Sequence, residues 1–195
     1  MKTVLRNHYG GTAHDPYSPK LNGQEPWRPI SVFRTYESHV MHVRPWMPKA
    51  VGEVTYVGFG MADLSCYVPF YQGLKAVPKN YGMGTDKADS QSAYWKYRKL
   101  QTLVMTDYQK LAPVVKTAYR DFEAKTAEAQ KTMEAKYMKT VKTNPKAADK
   151  LLNDFNIKVL KDAEALTENL TNELFTIRTT DIQKDIFFAN RKKKD

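Results

Sequence analysis

The chemistry open to this chain rests on four histidines, one cysteine and one stretch dense in polar side chains. His39 and His42 stand three apart in a segment of strand-like composition, so alternation sends them to opposite faces and they cannot chelate one ion together. His8 and His14 flank Gly10-Gly11 in a loop, with no cysteine or third histidine at zinc-ligand spacing. No metal site is expected. Cys66 lies in Leu64-Ser65-Cys66-Tyr67-Val68-Pro69, an apolar setting in which cysteine packs as a small hydrophobe rather than reacting. Gly82-x-Gly84 lacks the further glycine and the lysine of a phosphate-cradling loop. No cofactor is expected either, and no catalytic residue can be assigned within the chain.

The stretch Arg34-Thr35-Tyr36-Glu37-Ser38-His39 carries more information. A strand so rich in polar and ionisable groups cannot be covered on both faces without partners. Alternation puts Arg34, Tyr36 and Ser38 on one face and Thr35, Glu37 and His39 on the other. One face then looks into a cleft, where Arg34 can hold a carboxylate through a bidentate pair. A structural ion pair between Arg34 and Glu37 accounts for the same residues equally well. These two are the candidate substrate-cleft residues.

The elements that must position them fall into two compositionally distinct parts. Residues 1–92 hold all nine glycines, eight of the ten prolines and all four histidines, the mark of strands and shaped turns. Three strands are expected there: Ile30 to Val43, ended by Pro45 and Pro48; Val54 to Phe59; and Cys66 to Tyr71, an edge or irregular strand because of Pro69. Asn80 to Asp86 reads as a loop. Residues 93–195 are expected to form the helical cover. A helix capped by Ser92 or Gln91 runs through Val104, a second has Pro113 in its first turn, and Asn144-Pro145 starts a third. Apolar spacings of three and four over 113–143 and 146–177 predict a long antiparallel hairpin packed through Phe122, Met133, Phe155 and Leu166. The expected class is α+β, an antiparallel sheet followed by helices that cover it, with both parts forming one domain overall.

Composition limits the remaining possibilities. With 195 residues, 42% hydrophobic and 27% charged, the chain is globular rather than disordered. Its start lacks the apolar run of a signal peptide, and no segment is apolar enough to cross a bilayer. A single cysteine suits a reducing compartment, so a cytoplasmic location is expected. The formal net charge of +10 raises nucleic-acid or membrane-surface binding. However, the lysines alternate with Glu and Asp along the predicted helices, as on solvated faces, and Arg191-Lys192-Lys193-Lys194 reads as a frayed tail. Neither nucleic acid nor membrane is an expected partner.

Several stretches in order resemble the bacterial dipeptidase A family of cysteine-dependent N-terminal-nucleophile hydrolases. They are Leu5-Arg6-Asn7-His8-Tyr9 with Gly11-Thr12 and Asp15-Pro16-Tyr17; Arg28-Pro29-Ile30-Ser31 leading to Arg34-Thr35-x-Glu37-Ser38-His39-Val40; Val68-Pro69-Phe70-Tyr71-x-Gly73; and Ser92-Ala93-Tyr94-Trp95 with Arg98-Lys99-Leu100. The resemblance implies an αββα sandwich of two antiparallel sheets, a dipeptide substrate, and an N-terminal cysteine whose own α-amino group serves as base. This chain begins Met1-Lys2-Thr3, so removal of Met1 exposes lysine, and Cys66 does not stand in for the nucleophile. The expectation is therefore a C-terminal portion of a dipeptidase, an incomplete sandwich, inactive alone. Exposed sheet surface should then drive self-association or pairing with a complementary N-terminal half through residues 30–71. The alternative is a non-catalytic module that keeps the scaffold and engages an acidic partner.

Overall fold

A computed structural model describes residues 1–18 and 28–192. The elements run α1 (Lys2–Leu5), β1 (Glu37–Val43), α2 (Lys49–Gly52), β2 (Glu53–Phe59), β3 (Val68–Tyr71), α3 (Ala93–Val104), α4 (Tyr108–Thr140) and α5 (Pro145–Lys192), with 3-10 turns at Ala62–Leu64 and Lys79–Gly82. The architecture is mixed α and β: one antiparallel three-stranded sheet in the order β1-β2-β3, and long helices packed on it.

The first strand is shorter than expected. Residues 30–36 have strand-like composition, yet the backbone there is committed elsewhere. The Asn7 carbonyl accepts from the Ser31 N–H, and the Arg98 guanidinium bonds the Phe33 and Thr35 carbonyls. Strand geometry begins only at Glu37, where the ladder to β2 starts opposite Phe59. Gly60 closes this end with φ +75, a left-handed conformation that glycine adopts without strain. The absence of a Cβ also leaves room for the buried Gln101 side chain, which accepts from the Met61 N–H at 3.0 Å and donates to the Phe59 carbonyl at 2.8 Å.

The two edges of the sheet differ. On β3 the buried Asn156 of α5 donates to the Pro69 carbonyl at 2.7 Å and accepts from the Tyr71 N–H at 3.3 Å. A side-chain amide thus completes the ladder where another strand would otherwise add. On β1 the Tyr36 carbonyl accepts from Gly60 and the Arg44 N–H donates to Gly52. Antiparallel alternation then turns the N–H and C=O groups of Glu37, His39, Met41 and Val43 outward, and no described residue bonds them. Met41 and Val43 are also exposed.

Two apolar clusters hold the layers, each drawing on residues before and after position 92. One joins Val51, Val54 and Tyr71 to Met133, Tyr137, Ala148 and Leu152. The other packs Cys66 and Val68 on Tyr97, Leu100, Leu111, Tyr119, Leu160 and Leu174, with Phe59 stacked on Tyr97 at 5.2 Å between ring centroids. α4 starts earlier than Pro113 implied, because the Asp107 carboxylate caps it from outside, accepting from the Lys110 N–H at 3.4 Å. Pro113 therefore sits in the second turn and forfeits one helical bond, to Gln109. The Asn144 side chain caps α5 as expected, accepting from the Ala147 N–H at 3.0 Å. That helix is longer than the sequence spacing indicated, 48 residues. Residues 193–195 of the basic run lie outside the described residues.

α4 and α5 form the antiparallel hairpin, but the four named packing residues are not equally deep. Met133 is buried, whereas Phe122, Phe155 and Leu166 are half-buried and line a groove between the helices. Phe155→Ala should therefore cost about 2 kcal/mol, below the ~3–5 kcal/mol of a fully buried phenylalanine. A shift of the urea midpoint at constant slope measures it, and a cost above about 3 kcal/mol would show full burial in solution.

Candidate functional site

Glu37 opens the edge strand β1, Arg34 lies in the turn three residues before it, and both are exposed. They do not pair with each other. Glu37 lies 3.2 Å from His39 Nδ1 through each carboxylate oxygen, which the shared face of alternate strand residues allows. The Arg34 guanidinium has no acceptor among the described residues. Its backbone, by contrast, is fixed. Buried Arg98 grips the carbonyls on either side of Arg34, those of Phe33 and Thr35, and lies over the Phe33 ring at 4.8 Å and the Tyr94 ring at 5.4 Å. An arginine so presented is available to a ligand carboxylate. Ser38 turns to the other face as alternation required and shares a 2.7 Å hydrogen bond with the Tyr67 hydroxyl.

The chain also holds a buried polar cluster that no spacing in the sequence announces. His8 Nδ1 is 3.2 Å from Asp15, and His8 Nε2 is 3.4 Å from Asp63. Asp63 also takes the Tyr108 hydroxyl and, at 2.6 Å, the Lys116 ammonium. Burial first, then the Asp63 charge, pushes the Tyr108 hydroxyl well above the ordinary tyrosine range, so it stays a donor. Among the described residues, no group of His, Cys, Asp and Glu could hold a metal ion. With two carboxylates on opposite ring nitrogens, His8 acts as a strut between the N-terminal segment and α4.

Cys66 is fully buried, and desolvation followed by the nearby Glu123 charge pushes its thiol up to about 12. It is un-ionised at neutral pH and cannot attack a carbonyl. Glu123 is engaged structurally, accepting from Arg6 at 2.5 Å and from the Tyr67 N–H at 2.7 Å.

This sheet edge, Arg34 and the His8 cluster fall within residues 1–121, which match the sequence profile of peptidase family C69. The chain belongs to that family. A probable dipeptidase of Salmonella dublin is 56% identical over 87 residues, covering 45% of this chain and 19% of that protein. A probable dipeptidase of Latilactobacillus sakei is 31% identical over 105 residues, 53% of this chain and 22% of that protein. A probable dipeptidase A of Streptococcus pyogenes serotype M18 is 27% identical over a stretch of the same length, covering 53% and 22%. The chain thus spans about a fifth of the length of these curated relatives. The matched family region takes in the whole sheet, α3 and the first part of α4, while the rest of the helical hairpin lies beyond it. No described helix is long and apolar enough to cross a membrane.

Proposed function

We propose that this chain is part of a cytoplasmic dipeptidase of the N-terminal-nucleophile type, supplying sheet, helical cover and one wall of the substrate site. The observation that carries this reading is Arg34, held on a clamped backbone in the turn that leads into the open edge strand β1, inside the family-matched region, its guanidinium unclaimed by any described residue. A dipeptide carries a free carboxylate within a few ångströms of its scissile bond, and a planar guanidinium binds such a group bidentately. Glu37 and His39 line the same edge and complete the wall. The cysteine nucleophile, with its own amino group as base, comes from sequence outside this chain. The β1 edge is where the rest of an αββα sandwich joins, either from a complementary N-terminal half or, failing that, from a second copy.

The test uses this chain alone and together with the part of the Salmonella dublin relative outside the matched stretch. Alone, the chain should hydrolyse no dipeptide. With the complementary part, turnover should appear, and Arg34→Ala should raise KM about tenfold or more with little change in kcat, the effect of one charge-assisted hydrogen bond. Turnover by the chain alone that vanishes in Cys66→Ala would overturn the reading.

A further inference from the structure

We propose that Tyr36 sets the substrate preference of this site, favouring dipeptides whose C-terminal residue is aromatic. The inference rests on the reading of Arg34 as the carboxylate anchor and adds the group beside it. Tyr36 stands two residues on, and its carbonyl accepts from the Gly60 N–H, which extends the ladder between β1 and β2 by one position. Its cross-strand neighbour is therefore a glycine, with no side chain to cover the ring. At 75%, Tyr36 is among the most exposed large side chains of the described residues.

The ring is exposed but held. It leans on Tyr94 in the first turn of α3, with 6.0 Å between centroids. Tyr94 in turn meets Trp95 edge-on at 5.2 Å, and the Trp95 indole N–H donates to the Thr85 hydroxyl at 2.9 Å. The Arg98 guanidinium that fixes the carbonyls flanking Arg34 also donates from Nε to the Tyr94 hydroxyl at 3.2 Å. One buried cation thus sets both the backbone that presents Arg34 and the ring that backs Tyr36.

The ligand chemistry follows from the spacing. Two residues span at most about 7 Å of chain, so a carboxylate held at Arg34 brings its own residue within reach of the ring at Tyr36. In a dipeptide the carboxylate and the C-terminal side chain share one Cα, and a site that holds both must offer a cation and a second surface close together. Here the second surface is an uncharged aromatic ring. Ring pairs contribute beyond the area they bury, so a flat apolar side chain gains most from it. A glycine in that place gains nothing. The N-terminal side chain lies beyond the scissile bond, farther from Arg34, and is left without this discrimination.

Binding to the full chain, which needs no turnover, gives the test. NMR shifts of the isotope-labelled protein are followed against alanyl-phenylalanine, alanyl-glycine and alanyl-phenylalanine amide. The first should bind with a Kd of about 1–10 mM and move signals around Tyr36 and Tyr94. The glycine dipeptide should bind about threefold or more weakly, and the amide about tenfold or more weakly. Tyr36→Ala, at an exposed position, should leave alanyl-glycine binding in place and erase the preference, whereas Tyr36→Phe should keep it. Equal affinities for the two dipeptides in the wild type, or a preference that outlives Tyr36→Ala, would dismiss the role of Tyr36. If Arg34→Ala then still abolishes binding, the carboxylate anchor stands without it. No binding, or binding indifferent to Arg34→Ala, removes the anchor and this inference together.

Discussion

Replacing Glu134 with alanine should destabilise the protein by about 3–5 kcal/mol, the cost of leaving a buried charge without its partner. Arg44 reaches Glu134 through two parallel bonds of 2.7 and 2.8 Å, both side chains nearly closed to water. Tyr71 adds a hydroxyl at 2.6 Å, and Arg44 also binds the Val51 carbonyl. Without Glu134, the guanidinium and the Tyr71 hydroxyl remain inside the smaller apolar cluster with unmet polar groups. Burial alone would push the Glu134 carboxyl up; the bonds from Arg44 and Tyr71 outweigh it and hold it below the ordinary glutamate range. A carboxyl lowered by folding contributes stability that is complete above its unfolded value and is lost as pH falls through the folded one. Urea midpoints should therefore drop on the acid side for the wild type, with a flatter profile for Glu134→Ala. An alanine variant within about 1 kcal/mol of wild type would mean that water reaches this pair in solution.

The second large effect is expected at Asp63. Asp63→Ala should cost about 3 kcal/mol, because it strands the buried His8 and Tyr108. Lys116, a third exposed through its side chain, can turn to solvent and lose less. Since His8 ties the N-terminal segment to this point, the variant should also expose residues 1–18 to proteolysis before the body unfolds. A double-mutant cycle with Tyr108→Phe should show strong non-additivity, as expected for groups in one network. Additive losses, with the N-terminal segment still protected, would refute the strut.

Much of this scaffold was readable before any coordinates. The helices were legible because their apolar period is long and sustained, and Asn144-Pro145 marked the start of α5 correctly. Pro69 identified an edge strand, although nothing local revealed that Asn156, eighty-seven residues on, closes that edge. The extent of β1 was misread because residues 30–36 have strand composition while distant Arg98 takes up their carbonyls. Such tertiary capture leaves no mark in a local window. The polar centres were missed for the same reason: residues 8, 15, 63, 108 and 116 make no motif. Two faint signals existed. Gly10 is a glycine where any Cβ would lie 2.8 Å from the His8 ring. Glu134 sits on the same helical face as buried Gln130 and Tyr137, a charge within a core stripe.

The unequal edges of the sheet have a consequence for aggregation. Cross-β growth needs a template open on both sides, so that each added strand offers a fresh edge to the next. Here one side ends in an amide side chain from a packed helix, and among the described residues only the β1 side remains free. Joining two such sheets through β1 uses up both free edges and leaves none to extend. Through its sheet, then, this chain can count to two but cannot nucleate a fibril while α5 stays in place.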